Sequence, residues 1–406
     1  MIPKKFNLFL NHKITDFKKI IEVDSDKSIS IRSFIIGSIS QNASSVKNVL
    51  ESEDVFSTIS CLKKLGVHIK KVKPKNYIIY GKGLGSLHAK KNTFLNFGNS
   101  GTLARLLIGV LATTPGLEIK MKGDKSLSKR SMQKLIEAVS KFGTFFLPEN
   151  KFHFPLKLIS SEMPIGINYT AGVSAQLKSA VILAGLNSYG QTSIIEKHKS
   201  RDHTEKMLLQ NKHIIKVEDK KKKLIKVIGK KSLKPINVEV PNDPSSAAFF
   251  SALTLLKENS SLTIKNVGLN KTRTGFYDLL RKHGAKIKFK NLKKVNNELR
   301  GDILIKSCNL KPIRASKSFY TSTTDEYPIL FVVASLIKGV SVFKGIGDLT
   351  NKESNRITEM QKILKQINIK SKFSKDELKI FGQGKINASN KNIIVPNRSD
   401  HRLCMS

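Results

Sequence analysis

Two carboxylates stand among cations in this sequence: Asp325 in Asp325-Glu326-Tyr327-Pro328, and Glu353 in Lys352-Glu353-Ser354-Asn355-Arg356. Carboxylates in a cationic, water-poor cleft are suited to proton transfer. The residues alone equally allow Asp325 to cap a helix and Glu353 to pair with a neighbouring Lys or Arg. Further cations flank short polar segments: Lys27 and Arg32, Arg105, Arg130, Lys352 with Arg356, and Arg402. Such segments suggest helix entrances, whose free N–H groups and partial positive charge make an anion site when several converge. The Gly81-Lys82-Gly83-Leu84-Gly85 run matches neither a dinucleotide fingerprint nor a P-loop and reads as a strand-end turn.

The elements that must position these groups repeat. Segments rich in Ser, Asn, Asp or Gly lead directly into apolar stretches six times: Asp26 to Ser30 before Arg32 to Ile39, Gly98 to Gly101 before Thr102 to Ala112, and Ala171 to Ser174 before Ala175 to Leu186. The others are Asn242 to Ser245 before Ser246 to Leu256, Thr324 to Glu326 before Tyr327 to Ile337, and Ser399 to Arg402 at the end. They recur roughly every 70 to 80 residues, the size of a small α/β supersecondary unit. A second marker keeps step: an amphipathic helix ending near Gly or Asn and running into an alternating strand, around Leu62 to Val67, Leu135 to Gly143, Met207 to Val217, Leu279 to Ala285 and Ile363 to Ile367. Arg130 is expected to open the helix Ser131 to Ser140.

With 406 residues, 39% hydrophobic and 25% charged, the chain is long enough for two or three domains, which excludes wholesale disorder. Lys and Arg number 72 against 31 acids, a net charge of +41 that draws polyanions. Aromatics are only 7%, without Trp, and no RNA- or DNA-binding signature is visible, so no specific nucleic acid partner is expected. Runs such as Lys220 to Lys223 read as solvated turns or strand ends. Cys61, Cys308 and Cys404 lie too far apart for a disulfide framework or a zinc site. The apolar part of the basic start, Phe6 to Leu10, is too short for a signal-peptide core, and no apolar run is of membrane-spanning length. A cytoplasmic protein with reduced cysteines and no membrane partner is the expectation.

Longer motifs run through the chain in order: Asp26-Lys27-Ser28-Ile29-Ser30-Ile31-Arg32, Gly98-Asn99-Ser100-Gly101-Thr102, Ser174-Ala175-Gln176-Leu177-Lys178-Ser179-Ala180, Arg201-Asp202-His203-Thr204-Glu205-Lys206-Met207, and Val240-Pro241-Asn242-Asp243-Pro244-Ser245. Asp325-Glu326-Tyr327-Pro328, Lys352-Glu353-Ser354-Asn355-Arg356 and His401-Arg402 complete the set. Over nearly the whole chain the sequence resembles the EPSP synthases, the 3-phosphoshikimate 1-carboxyvinyltransferases of the enolpyruvyl transferase family, and Arg201 to Met207 looks like their class II branch. The resemblance implies an α/β fold of two domains, each of three βαβαββ units, joined by two crossing segments. Residues 1–24 plus 241–406 would form the first domain and 25–240 the second, with the active site in the cleft between them.

By the same resemblance, the enolpyruvyl group of phosphoenolpyruvate passes to the 5-hydroxyl of shikimate 3-phosphate by addition and then elimination of phosphate. Ser28, Arg32, Ser174, Ala175, Gln176, Asp325 and Lys352, with Lys27 beside them, would hold shikimate 3-phosphate. Lys27, Gly101, Arg130, Gln176, Arg356 and Arg402 would hold phosphoenolpyruvate. Asp325 would take the hydroxyl proton, Glu353 would exchange a proton with the methylene carbon, and Lys27 would assist at the bridging oxygen. The chemistry implied requires no metal or organic cofactor, and a monomer is expected. The inhibitor glyphosate occupies the donor site in the family, and Gly101 carries no methyl to obstruct it.

Ile31, Asn242 and Asn355 depart from the usual His, Gly and Asp of the family. The chain also ends four residues after Arg402, so the sixth unit is expected to be truncated, an apolar layer uncovered, and Arg402 on a frayed terminus. Two rivals share the fold. Transfer to UDP-N-acetylglucosamine is disfavoured by Lys27-Ser28 in place of Lys-Asn and by the absence of cysteine between Cys61 and Cys308. The other rival is a non-catalytic, basic polyanion-binding protein.

Overall fold

A computed structural model describes residues 14–219, 222–385, 393–395 and 400–406, so Met1 to Leu10, Lys220, Lys221 and Ser399 lie outside the described residues. The polar openings fold as helix caps. α1 (Lys27–Ile39) starts at Asp26, whose carboxylate accepts from the Ile29 amide at 2.8 Å. Ser100 and Ser174 do the same for α2 (Gly101–Ala112) and α3 (Ala175–Leu186). Next comes α4 (His203–Leu208). Asp243 caps α5 (Pro244–Leu256), with proline in its first turn. α6 (Tyr327–Ser335) departs from the pattern, because Glu326 stands at its N-cap without a side-chain cap bond. Asn355 and Asp400 cap α7 (Arg356–Gln366) and α8 (His401–Met405). Each cap satisfies amides that the helix itself leaves free.

The stretch around Met207 to Val217, read as a helix running into a strand, is α4 followed by a strand at Ile215–Asp219. Asn211 ends the helix: its amide turns back to the Leu208 carbonyl, and its side chain accepts from the Lys234 amide at 2.9 Å. The helix expected from Ser131 begins at Gln133, with the Met132 amide on the Phe152 carbonyl at 2.7 Å and the Ser131 hydroxyl accepting from the Gln133 amide at 3.2 Å.

Five four-stranded sheets form among the described residues, and all have one topology. In the sheet of Phe94–Asn96, Glu118–Lys122, Leu156–Ile159 and Phe145–Leu147, the first two strands pair in parallel and the others add antiparallel. The central helix lies between the parallel strands in sequence, as a crossover requires. Two of these sheets borrow a strand from far along the chain. Asn237–Glu239 pairs with Ala43–Lys47, and Lys18–Ile21 pairs with Ser261–Gly268. The sixth opening is represented by α8.

Buried side chains gather into two cores, one running from Ile29 to Val240 and the other from Ala247 to Leu403. α1, α2 and α3 are buried nearly all round, which is why apolar residues are not confined to one face of them, and Arg32 and Lys178 are buried with them. Where the chain passes between the bodies, the Asp26 amide bonds the Pro241 carbonyl at 2.9 Å and the Asp243 amide bonds that of Asp24 at 2.8 Å. One lysine of the expected solvated run is not solvated. Lys223 is buried, 3.5 Å from Glu196 and 3.3 Å from Glu205, both of which also hold the fully buried Lys178 at 2.7 Å. Four charges of balanced sign can be buried together because each has an opposite partner.

Candidate active site

The helix entrances of the two bodies face each other across a line of alternating charges. Arg201 donates to Asp325 at 2.7 Å, and Asp325 lies 3.5 Å from Arg356. Arg356 donates to Glu353 at 2.8 Å, and Glu353 lies 3.6 Å from Arg130. Arg130 and Arg201 come from the first core's side, while Asp325, Glu353 and Arg356 come from the second, so the line stitches the seam. Arg356 is also held by the buried Asp400 at 2.9 Å, and Asn99 accepts from Arg130 at 2.9 Å. Asp325 therefore pairs with arginines instead of capping a helix.

Opposing effects set the ionisation of this line. Burial pushes Asp325 up, but Arg201, Arg402, Arg356 and Arg273 outweigh it and hold the carboxyl well below the ordinary range. Burial likewise pushes Glu353 up, and Arg356 and Arg130 bring it down to about 2. For Glu326 the balance is reversed: burial and the adjacent Asp325 raise it. Burial chiefly lowers His401 to about 4, with Arg402 and Lys27 adding to the effect. Asp325 and Glu353, the two carboxylates expected to transfer protons, are thus both ionised.

Around this line, Gln176 accepts from Arg105 at 3.0 Å and donates to Thr102 at 2.9 Å, joining α3 to α2. Gly101 opens α2 where a Cβ would meet Arg105 at 2.6 Å and Arg130 at 3.1 Å. Arg32 is buried, bonding Thr204 at 2.9 Å, Ser179 at 3.4 Å and the Ser28 carbonyl at 3.0 Å. Ser174 and Ala175 form the entrance of α3. Lys27 and Lys352 do not join the charge line. Lys27 pairs with Asp54 at 3.1 Å, and Lys352 with Asp348 at 2.6 Å below the Tyr320 ring.

Arg402 is buried, with its guanidinium 6.0 Å from the Phe249 ring centre, not on a frayed end as the sequence suggested. The Asp400 cap and the packing of Leu403 in the second core hold it. Sequence reasoning did not assign Asp400 or Arg201 a site role, and it noticed Arg105 only as a cation. Arg201 and Asp400 stood inside motifs, but nothing in spacing says which charges meet across a seam.

The departures are accommodated locally. Asn355 keeps a capping oxygen on the Thr358 amide at 3.1 Å, Ile31 is fully buried, and Asn242 bonds the Lys265 carbonyl at 3.0 Å. Among the described residues, no three His, Cys, Asp or Glu side chains are grouped to hold a metal ion.

Repeated four-stranded units gathered on two cores fit the fold that the resemblance to the enolpyruvyl transferases implies. Residues 11–406 match the EPSP synthase (3-phosphoshikimate 1-carboxyvinyltransferase) family. The chain belongs to that family. Among curated relatives, the 3-phosphoshikimate 1-carboxyvinyltransferase of Paramagnetospirillum magneticum is 37% identical over 387 residues, 95% of this chain and 86% of the relative. That of Bacillus subtilis is 36% identical over 386 residues, covering 95% and 88%. The EPSP synthase structure from Acinetobacter baumannii superposes with a TM-score of 0.80 at 34% identity, covering 96% of this chain and 88% of that one. The enolpyruvyl transferase NikO of Streptomyces tendae, at 13% identity and TM-score 0.68, shares the fold.

Proposed function

We propose that this protein transfers the enolpyruvyl group of phosphoenolpyruvate to the 5-hydroxyl of shikimate 3-phosphate, releasing phosphate. The observation that carries this reading is the line Arg201–Asp325–Arg356–Glu353–Arg130, which offers two anionic substrates several guanidinium groups and places two carboxylates between them. Arg130, Arg356, Arg402, Lys27, Gln176 and the Gly101 entrance would receive phosphoenolpyruvate. Ser28, Arg32, Ser174, Ala175, Gln176, Lys352 and Asp325 would receive shikimate 3-phosphate. The two bodies act as domains of residues 1–24 plus 241–406 and 25–240, an assignment supported by the separate cores and the paired crossings.

The chemistry follows from the charges. Anionic donor groups on Arg130 and Arg356 compete with Glu353 for those guanidiniums, so the lowering is relieved and burial raises its pKa. Glu353 can then carry a proton to the methylene carbon as the central carbon becomes electrophilic. Asp325 accepts the proton of the attacking hydroxyl, closing a tetrahedral adduct. In the second step Glu353 takes a methyl proton back, and the bond from the central carbon to the bridging oxygen breaks as Lys27 gives that oxygen a proton. Hydrogen phosphate leaves, the vinyl ether forms, and the proton held by Asp325 restores Lys27. Closure of the domains excludes water and aligns the hydroxyl.

No helix among the described residues is long and apolar enough to cross a membrane. The free cysteines suit a reducing cytoplasm, and the excess lysine is read as surface bias without a specific nucleic acid partner, on a monomer. Phosphate release from phosphoenolpyruvate should require shikimate 3-phosphate and should not be supported by UDP-N-acetylglucosamine. Release with the latter alone would transfer the assignment to the sister reaction.

A further inference from the structure

One guanidinium sits where the chain passes between its two bodies. The Arg273 side chain is 2% exposed, with Nη1 donating to Asp26 at 2.8 Å and Nη2 to Asp243 at 3.0 Å and to the Ser245 hydroxyl at 2.8 Å. Nη1 also lies 3.4 Å from His203 Nε2, and the Ser245 hydroxyl goes on to bond Glu326. These carboxylates are rigid parts of helix entrances. Asp26 caps α1 with one oxygen and gives the other to Arg273, while one Asp243 oxygen takes both the Ser245 amide and Arg273. Fixing the two carboxylates on one planar fork therefore fixes the entrance of α1 against that of α5. Lys27 follows Asp26, Asp325 precedes Glu326, and Arg201 is two residues before His203.

We propose that Arg273 is a positioning residue that sets the angle between the two domains and so brings Lys27 and Arg201 to Asp325 and Glu353 in the substrate complex. The inference rests on the enolpyruvyl-transfer reading. A purely structural role would ask only for a positive charge among buried carboxylates, which lysine also supplies. Positioning asks for the fork, which lysine lacks.

The test uses the full chain with Arg273→Lys and Arg273→Gln, measuring melting temperature, kcat and KM for each substrate, and radius of gyration by small-angle X-ray scattering with and without both substrates. The Lys variant should melt within about 3 °C of the parent. Its kcat should fall at least tenfold (about 1.4 kcal/mol in barrier), with substrate-induced compaction lost and KM changed less than kcat. The Gln variant, if it folds, should show the same kinetic defect with a lower melting temperature. If it does not fold, the Lys variant decides alone. A Lys variant with parental kcat and compaction overturns the proposal. So does one whose melting temperature collapses together with its activity. A parent without turnover defeats the functional reading itself, which separates the two failures.

Discussion

At the residue scale, the proposed mechanism gives Asp325 and Glu353 different steps although neighbouring arginines hold both ionised. Asp325→Asn keeps shape and hydrogen bonding while removing the base, so substrate binding should persist and kcat should fall by about two to four orders of magnitude. Near-parental turnover would demote Asp325 to a partner for arginine. Arg130 and Arg356, both proposed to hold the donor, should separate in a way their shared chemistry conceals. Arg130→Ala removes a contact worth roughly 1.5–3 kcal/mol and should chiefly raise KM for phosphoenolpyruvate, with little change in melting. Arg356→Ala also strands the buried Asp400 beside Glu353 and should cost about 3–5 kcal/mol of stability, seen as a lower urea midpoint. Equal midpoints in the two variants would contradict the geometry. The carboxylates and most cations were legible in the sequence because charged residues beside capping motifs are local features. The pairing of Arg201 with Asp325 was not, since 124 residues separate them and only the seam brings them together.

At the scale of elements, the openings were legible because a cap, a following apolar run and its spacing are all written within one helical turn or two. Helix starts were legible only to within a turn: the helix read from Ser131 begins at Gln133, with Met132 at its N-cap and no side-chain cap bond there. Burial was misread at Lys223, because the two glutamates that make its burial tolerable lie on other elements. The entrance of α2 offers a direct test. In Gly101→Ala the new methyl meets only the ends of the flexible Arg105 and Arg130 side chains, so the helix should tolerate it. Both guanidiniums must move, so KM for phosphoenolpyruvate should rise severalfold and glyphosate should inhibit less, while the melting temperature stays near the parent's. Unchanged donor KM and inhibition would place the donor away from this helix entrance.

For the whole molecule, the net charge of +41 reflects a lysine-rich surface, while the functional charges are a small, paired set along the seam. Asp26, where burial raises the pKa but Arg273 and His203 prevail, is brought to about 2, and Glu353 also lies at about 2. Folded values below unfolded ones add stability above about pH 4.5 that is lost as pH falls toward 2, with Asp26 alone contributing about 2 kcal/mol. The urea midpoint should therefore drop between pH 5 and pH 3, on the order of the range these shifts define, and a flat midpoint would contradict the paired state of both groups. The central claim is that addition precedes elimination, with Glu353 protonating the methylene carbon. Its most direct test is proton NMR of the product formed from phosphoenolpyruvate and shikimate 3-phosphate in D2O. A methyl group that gains one solvent deuteron, rotates freely and then loses a proton or the deuteron leaves deuterium in the vinyl methylene of a fraction of the product. Product with no deuterium in its methylene, or no product at all, would contradict it.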